Sequence, residues 1–112
     1  MKLFIDCEFN SFRGELISMA LVPEMGEAFY HVLETHAMNL DPWVKANVMP
    51  KLVYNHRGLY PLTVGQFQMA LQKYLQQWRD VTIVADWPDD IKYFCEALIT
   101  GPGMMMNTPL MD

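Results

Sequence analysis

Residues 2–9, with the sequence KLFIDCEF, form the stretch that decides the fold. An apolar run, Leu-Phe-Ile, leads into a segment in which two acids alternate with apolar side chains, a pattern typical of a β-strand with one buried face. Side chains at positions i and i+2 of a strand point to the same face, so Asp6 and Glu8 share one face. Cys7 then points to the opposite face, where we expect it to be a small buried hydrophobic residue.

Two more strands are predicted directly after the first. Residues 15–22, ELISMALV, and residues 28–33, AFYHVL, are rich in apolar side chains. Turns at residues 10–14 and 23–26 separate the three segments. Three strands joined by tight turns predict an antiparallel meander at the N-terminus.

The middle of the chain predicts two helices. The first covers residues 41–48, with Asp41 as its N-cap and Pro42 at its first position. A loop is predicted over residues 51–62, and Thr63 then caps a longer helix. The apolar positions of that longer helix are Val64, Phe67, Leu71, Leu75 and Trp78.

The last third of the chain predicts one strand and one helix. Residues 81–85 are β-branched enough for a buried strand, and apolar residues then recur at helical spacing over residues 91–99. Gly101, Pro102 and Gly103 are expected to end that helix, and residues 104–112 have no clear periodicity and read as a tail. The order of elements predicts an α/β fold in which a mixed sheet carries helices.

Length and composition limit the class of protein. The chain has 112 residues, 52% hydrophobic and 19% charged, so we expect a single domain over residues 1–112. No stretch approaches the ~20 apolar residues of a membrane span, and the N-terminus lacks a signal-peptide pattern, so we expect a cytoplasmic protein without membrane contact. Eight Lys and Arg against 13 Asp and Glu give a net charge of −5, which argues against a broad basic face for duplex DNA.

The acids of the first strand are candidate metal ligands. Asp6 and Glu8 would repel each other on one face of an otherwise apolar strand, and a hard divalent cation such as Mg²⁺ or Mn²⁺ relieves that repulsion. The alternative is that both side chains sit at a frayed strand end and face solvent.

A second group of acids follows the strand at residues 81–85. It consists of Asp86, Asp89 and Asp90 at the start of the last helix. These acids could converge with those of the first strand, because a site for two metal ions needs several carboxylates. The alternative is that they cap the helix and favour its first turn, where Asp is common.

Three segments together resemble one family. The first, FIDCEF followed by ELISMALV, resembles the first motif of the DEDD superfamily of 3′–5′ exonucleases. The second, DIKYF at residues 90–94, resembles the second motif of that superfamily. The third, DPWVKANVMPKL at residues 41–52, is similar to the connecting helix of the bacterial and phage-type 3′–5′ exoribonucleases related to RNase T and oligoribonuclease.

The resemblance implies a fold and a site. The fold is an RNase H-like mixed sheet, in which an antiparallel three-strand meander is joined by a parallel strand and flanked by helices. Asp6, Glu8 and Asp90 are then the ligands of two Mg²⁺ or Mn²⁺ ions that hydrolyse phosphodiester bonds. The substrate implied is the 3′ end of a single strand, RNA rather than DNA, and a homodimer is a further expectation from the superfamily.

Aromatic side chains are candidates for holding the last base. Phe9 lies next to the acids, and Phe12 is a weaker candidate. The three tryptophans, Trp43, Trp78 and Trp87, are expected in the core or at its edge. Trp87 is also a candidate for nucleotide binding, because it lies beside the second group of acids.

The sequence departs from the family in its C-terminal part. The His-x4-Asp motif, which supplies the general base and the fourth carboxylate in DEDDh members, is absent after Phe94. His31, His36 and His56 all precede the second motif, and we assign none of them as the general base. We therefore expect either a fragment of a longer enzyme or a natural short form that lacks catalysis.

Three hypotheses about function follow. The first is a metal-dependent 3′–5′ exoribonuclease. The second is a catalytically inactive nucleotide-binding, RNA-binding or interaction module on the same fold. The third is a structural domain whose acids are only caps and surface charges. Among the scattered cations, Arg13 and Lys92 are expected to lie nearest the acids.

Overall fold

A mixed five-stranded sheet forms the centre of the protein in a computed structural model, which describes residues 1–35, 40–52 and 60–112. Its strands, in spatial order, are β3 (Phe29–Val32), β2 (Leu16–Pro23), β1 (Lys2–Phe9), β4 (Asp80–Val84) and β7 (Leu110–Met111). The pairs β1–β2 and β2–β3 are antiparallel, whereas β1–β4 and β4–β7 are parallel. The predicted N-terminal meander and the mixed character of the sheet are confirmed.

The described helices lie close to their predicted positions. They are α1 (Pro42–Asn47), a 3₁₀ turn (Met49–Lys51), α2 (Val64–Leu75) and α3 (Pro88–Ala97). Asp41 caps α1 as predicted, and Thr63 caps α2 in a reciprocal arrangement with Gln66. In the described ranges, no helix has both the length and the apolar character needed to cross a membrane.

The sheet has two different faces. The inner face carries Leu3, Ile5 and Cys7 of β1, which are buried against α2 and α3. The prediction that Cys7 is a small buried residue is therefore confirmed. The main core consists of Leu3, Ile5, Cys7, Met19, Leu21, Phe29, Leu33, Phe67, Leu71, Leu75, Val81, Tyr93, Phe94, Leu98 and Met106.

A second, smaller core holds α1 on the outer face of the sheet. It is formed by Ile17, Val32, Val44 and Leu52. Ile17 belongs to a β-bulge, because the register of β1 with β2 shifts between Glu8 and Phe9. This packing places α1 beside the two acids of β1.

Two details of the α2 prediction are wrong. Val64, predicted to belong to the apolar stripe, is exposed: it is the first residue of α2, and the buried residues of this helix begin one turn later at Phe67. The helix also ends at Leu75, so Trp78 follows the helix and packs half-buried against Tyr74.

The C-terminal third differs most from the prediction. The last helix ends at Ala97, and residues 101–103 form the turn of a short hairpin between β5 (Ile99–Gly101) and β6 (Met104–Met105). Residues 104–112 are not a tail, since β7 extends the sheet: Asp112 donates its backbone N–H to Val81 and accepts one from Ile83. A two-residue strand is too short to show the alternation that predicts strands.

Two glycines, one in the loop between β1 and β2 and one in α2, have opposite predicted effects on stability when replaced by alanine. An added Cβ at Gly14 would lie 1.6 Å from the backbone oxygen of Asn10, whereas one at Gly65 in α2 would meet nothing within 4 Å. We expect Gly14→Ala to lower the free energy of unfolding by ~2 kcal/mol or more, because the loop backbone must move. Gly65→Ala should raise it by ~0.5 kcal/mol, since alanine favours a helix.

Urea denaturation of the two variants beside the natural protein measures both effects. Equal stability of the Gly14→Ala variant and the natural protein would show that the backbone of Asn10 does not lie against Gly14.

Candidate functional site

The two acids of β1 lie inside the sheet and not at a frayed end. Asp6 is paired with Ala20 and Glu8 with Ser18 in the antiparallel ladder, and both side chains are exposed on the outer face. The alternative of a frayed strand end is therefore wrong. Two carboxylates stand side by side on the central strand, opposite the buried Cys7.

Asp90 reaches the same strand from the first turn of α3. Its side chain is only 2% exposed, and its carboxylate accepts a hydrogen bond from the backbone N–H of Cys7. That N–H is free because β4 ends at Val84, which lies opposite Phe4. Beyond Phe4, this side of β1 has no strand partner in the described residues, and Asp90 satisfies one of its unpaired backbone groups.

The three carboxylates influence one another. Burial and then the neighbouring charge of Asp6 raise the pKa of Asp90 to about 6, although the hydrogen bond from Cys7 opposes the shift. Burial and then Asp6 also raise the pKa of Glu8. Burial is likewise the main reason why the pKa of the Cys7 thiol is raised, so this cysteine is not a nucleophile at neutral pH. The site is an acidic cluster whose carboxylates repel one another.

The remaining acids of the second group lie at the margin of this cluster. Asp89 lines the same cleft as Asp90, and the charge of Asp86 contributes to the raised pKa of Asp90. The interpretation of Asp86 as a helix cap is wrong, because Trp87 is the N-cap residue and makes no side-chain capping bond.

A wide cleft of about 580 Å³ contains all three carboxylates. The side chains and backbone that line it belong to Asp6, Cys7, Glu8, Phe9, Ser11, Phe12, Asp41, Trp43, Val44, Val48, Trp87, Asp89 and Asp90. Four of these residues are aromatic and line the same space as the acids. The cleft therefore combines negative charge with flat apolar surfaces.

The aromatic residues of the cleft differ in the exposed fraction of their side chains. Phe12, Trp43 and Trp87 are 75%, 66% and 57% exposed. Phe9 is half-buried and packs on Tyr93, with ring centroids 4.8 Å apart. The predicted candidates Phe9, Phe12 and Trp87 thus all reach the cleft. The prediction that Trp43 and Trp87 pack in the core or at its edge is wrong, since neither belongs to the two core clusters.

Trp43 is the residue that sequence reasoning missed. The backbone N–H of Trp43 donates to the Asp41 carboxylate at 2.9 Å, and the backbone N–H of Asp41 donates to Asn10 Oδ1 at 2.8 Å. The end of β1 is in this way connected to the start of α1, and Trp43 lines the same cleft as the acids. No local pattern in the sequence indicated this position, because only the folded structure shows that α1 buries Val44 and leaves its tryptophan exposed.

The cations expected near the acids are directed elsewhere. Arg13 stacks over the Phe12 ring at 5.0 Å, and Lys92 lies 4.5 Å from the Tyr93 ring centroid. Neither of them lines the cleft, so the prediction that they are the nearest cations is not supported.

No histidine among the described residues lines the cleft. His31 lies in β3 and packs against Phe29, and burial lowers its pKa. His36 and His56 fall outside the described residues. The site as described therefore offers carboxylates and aromatic rings, and we assign no general base.

The donor set fits a hard divalent cation, whereas the arrangement is not that of a preformed ligand cluster. Three carboxylates supply the oxygen ligands that Mg²⁺ and Mn²⁺ prefer, and bound cations would offset the burial and the repulsion that raise the pKa values of Glu8 and Asp90. In the ranges that the structure describes, however, no three His, Cys, Asp or Glu side chains already stand at the spacing of a metal site. Binding would require the carboxylates to turn towards one another.

The raised pKa of Asp90 predicts how stability depends on pH. Between the usual value of 3.8 and the folded value of about 6, the folded protein keeps a proton that the unfolded chain has released, so stability falls as pH rises through this range. Asp90→Asn removes the charge and keeps an acceptor for Cys7. We expect it to raise the free energy of unfolding by ~2 kcal/mol at pH 7.5, and by much less at pH 4.

Urea denaturation with EDTA at both pH values measures this difference. Glu96→Gln is the matched control, because it neutralises an exposed carboxylate on the same helix. A loss of stability in Asp90→Asn at pH 7.5 would contradict the raised pKa.

The comparisons with known proteins leave the site to be interpreted from its own geometry. No protein-family model matches the chain, and no curated protein matches it. The positions of Asp6, Glu8 and Asp90 around one aromatic cleft are therefore the basis for any functional conclusion.

Proposed function

We propose that this chain is a metal-dependent 3′–5′ exonuclease domain, which removes nucleotides from the 3′ end of single-stranded RNA. One observation carries this proposal: Asp6 and Glu8 of the central strand and Asp90 of α3 meet at one cleft with exposed aromatic walls. These are the same three acids on which the resemblance to the DEDD exonucleases rests.

The sheet topology supports the RNase H-like part of the proposal. The strand that carries the acids is central, with antiparallel β2 and β3 on one side and parallel β4 on the other. Because α3 follows β4, its first turn lies at the same end of the sheet as the acids of β1. A site that draws ligands from β1 and from the helix after β4 needs this arrangement.

Each group in the cleft has a proposed role. Asp6, Glu8 and Asp90 would hold two Mg²⁺ or Mn²⁺ ions, which when bound supply an activated water and counter-charge for the leaving 3′-oxygen. The Cys7 N–H orients the Asp90 carboxylate. The exposed ring of Trp43 stacks on the last base, and Phe12 and Trp87 line the same cleft.

A second candidate function is a catalytically inactive nucleotide-binding or RNA-binding module. The observation that favours it is that no described histidine lines the cleft, so a general base is not assigned. The two candidates share the same binding site and differ only in turnover.

A cleavage assay separates the two candidates. With Mn²⁺ and a single-stranded RNA labelled at its 5′ end, we expect a ladder of products shortened from the 3′ end. Asp6→Asn should lower the rate by ~10³-fold or more and weaken Mn²⁺ binding in calorimetry, because it removes a ligand. Glu27→Gln is the control, since its exposed carboxylate lies outside the cleft.

The possible results are distinct. Mn²⁺-dependent RNA binding without cleavage favours the inactive module. If the chain shows neither cleavage nor Mn²⁺ binding that depends on Asp6, the proposal is wrong.

Trp43 provides an independent test of base binding. We expect Trp43→Ala to weaken RNA binding by ~10-fold, since stacking contributes ~1–3 kcal/mol per base, and to change stability by less than ~0.5 kcal/mol because the ring is exposed. Fluorescence anisotropy with Ca²⁺ in place of Mn²⁺ measures binding. Tyr60→Ala is the matched control, an exposed aromatic outside the cleft, and equal losses in both variants would rule out a specific role for Trp43.

A further inference from the structure

A second cavity of about 400 Å³ adjoins the cleft. Four residues line both spaces: Asp6, Glu8, Trp43 and Val48. Because the two acids and Trp43 form a common wall, a ligand held at the carboxylates has access to both cavities.

The two cavities differ in chemistry. The cleft adds aromatic rings to the shared wall, whereas the second cavity adds mainly polar side chains. Its remaining lining consists of Ser18, Ala20, Tyr30, Asn47, Lys51 and Leu52. Among the described residues that line either cavity, Lys51 is the one cation.

The backbone of Lys51 is held by its neighbours, and its ammonium group forms no ion pair with a described carboxylate. Lys51 ends the 3₁₀ turn, and its neighbour Leu52 is buried in the second core with Val44 of α1. Within the described ranges, no carboxylate forms an ion pair with Lys51. Arg13 and Lys92, by contrast, lie over aromatic rings, and Lys45 of α1 lines neither cavity.

We propose that the second cavity binds the sugar-phosphate of the nucleotide next to the 3′ end, and that Lys51 pairs with the phosphate on its 5′ side. This inference rests on the proposed function of the cleft. The phosphate that is cleaved lies at the carboxylates and their ions, but the next phosphate enters a region where Asp6 and Glu8 repel it. A protein cation is needed there, and Lys51 is the side chain that the cavity supplies.

Binding of RNA trinucleotides tests this assignment. A trinucleotide has two linkages, and a methylphosphonate at either one removes its charge. With Ca²⁺ present, we expect Lys51→Met to weaken binding of the all-phosphate trinucleotide about two- to fivefold, as for an exposed ion pair, while Lys51→Arg retains the affinity. The Lys51→Met effect should persist with the neutral group at the 3′ linkage and vanish with the neutral group at the 5′ linkage.

Two controls complete the design. Lys45→Met removes a charge from the neighbouring helix and should leave binding unchanged. The slope of log affinity against log salt concentration should become shallower by ~0.7 in Lys51→Met, which corresponds to one lost phosphate contact on a single strand.

Each outcome has one meaning. If the natural protein binds the trinucleotide but Lys51→Met has no effect, or weakens all three ligands equally, this inference is wrong and the proposed function stands. If the natural protein binds no trinucleotide and no adenosine monophosphate, the proposed function fails, and the inference fails with it.

Discussion

The hydrogen bond from the Cys7 backbone N–H to the buried Asp90 carboxylate is the contact on which the site depends. It connects α3 to β1 at the point where β4 no longer pairs with the central strand. Without an acceptor there, a backbone N–H beside the core would lose its partner, at a cost of ~1–3 kcal/mol. The same contact brings a third carboxylate close to Asp6 and Glu8. One hydrogen bond therefore satisfies a backbone N–H of β1 and also forms the acidic cluster.

The acidic cluster opposes stability, and its position explains how the fold tolerates it. Burial and the charge of Asp6 raise the pKa of Asp90, so ionisation of this carboxyl at neutral pH lowers the free energy of unfolding. The inner face of β1 compensates, because Leu3, Ile5 and Cys7 are buried in the main core. Strain confined to one end of a well-packed strand is typical of sites that bind a ligand. Cations that bind there would stabilise the folded protein by mass action.

The sequence predicted the elements with strong local patterns and missed those set by tertiary contacts. The alternation in residues 2–9 and the capping residues Asp41 and Thr63 are local signals, and the structure confirms them. The strand β7 pairs with β4 through the backbone of two residues, which no side-chain pattern encodes. The hairpin at residues 99–105 was hidden for the same reason, since its glycines also fit a helix end.

The site was predicted in part. The grouping of the acids could be anticipated because residue spacing places Asp6 and Glu8 on one face, and the parallel pairing of β1 with β4 brings Asp90 to them. The exposure of Trp43 could not be predicted from the sequence, because it depends on hydrogen bonds from Asn10 through Asp41 that join distant segments. Lys51 was likewise one of several scattered cations until the fold placed it beside the acids.

The charge of the protein restricts how it could engage nucleic acid under the proposed function. With a net charge of −5, the surface as a whole repels a polyanion, so affinity has to come from a few places. Those places are the cation-binding acids, the exposed rings of the cleft and Lys51, and they adjoin one another. Among the described residues that line the two cavities, Lys51 is the one cation, so these walls offer a single protein charge to the phosphates of a strand. Under the proposed function, this arrangement of acids, rings and one lysine at adjoining cavities would favour binding of a chain end over binding of a long stretch of strand.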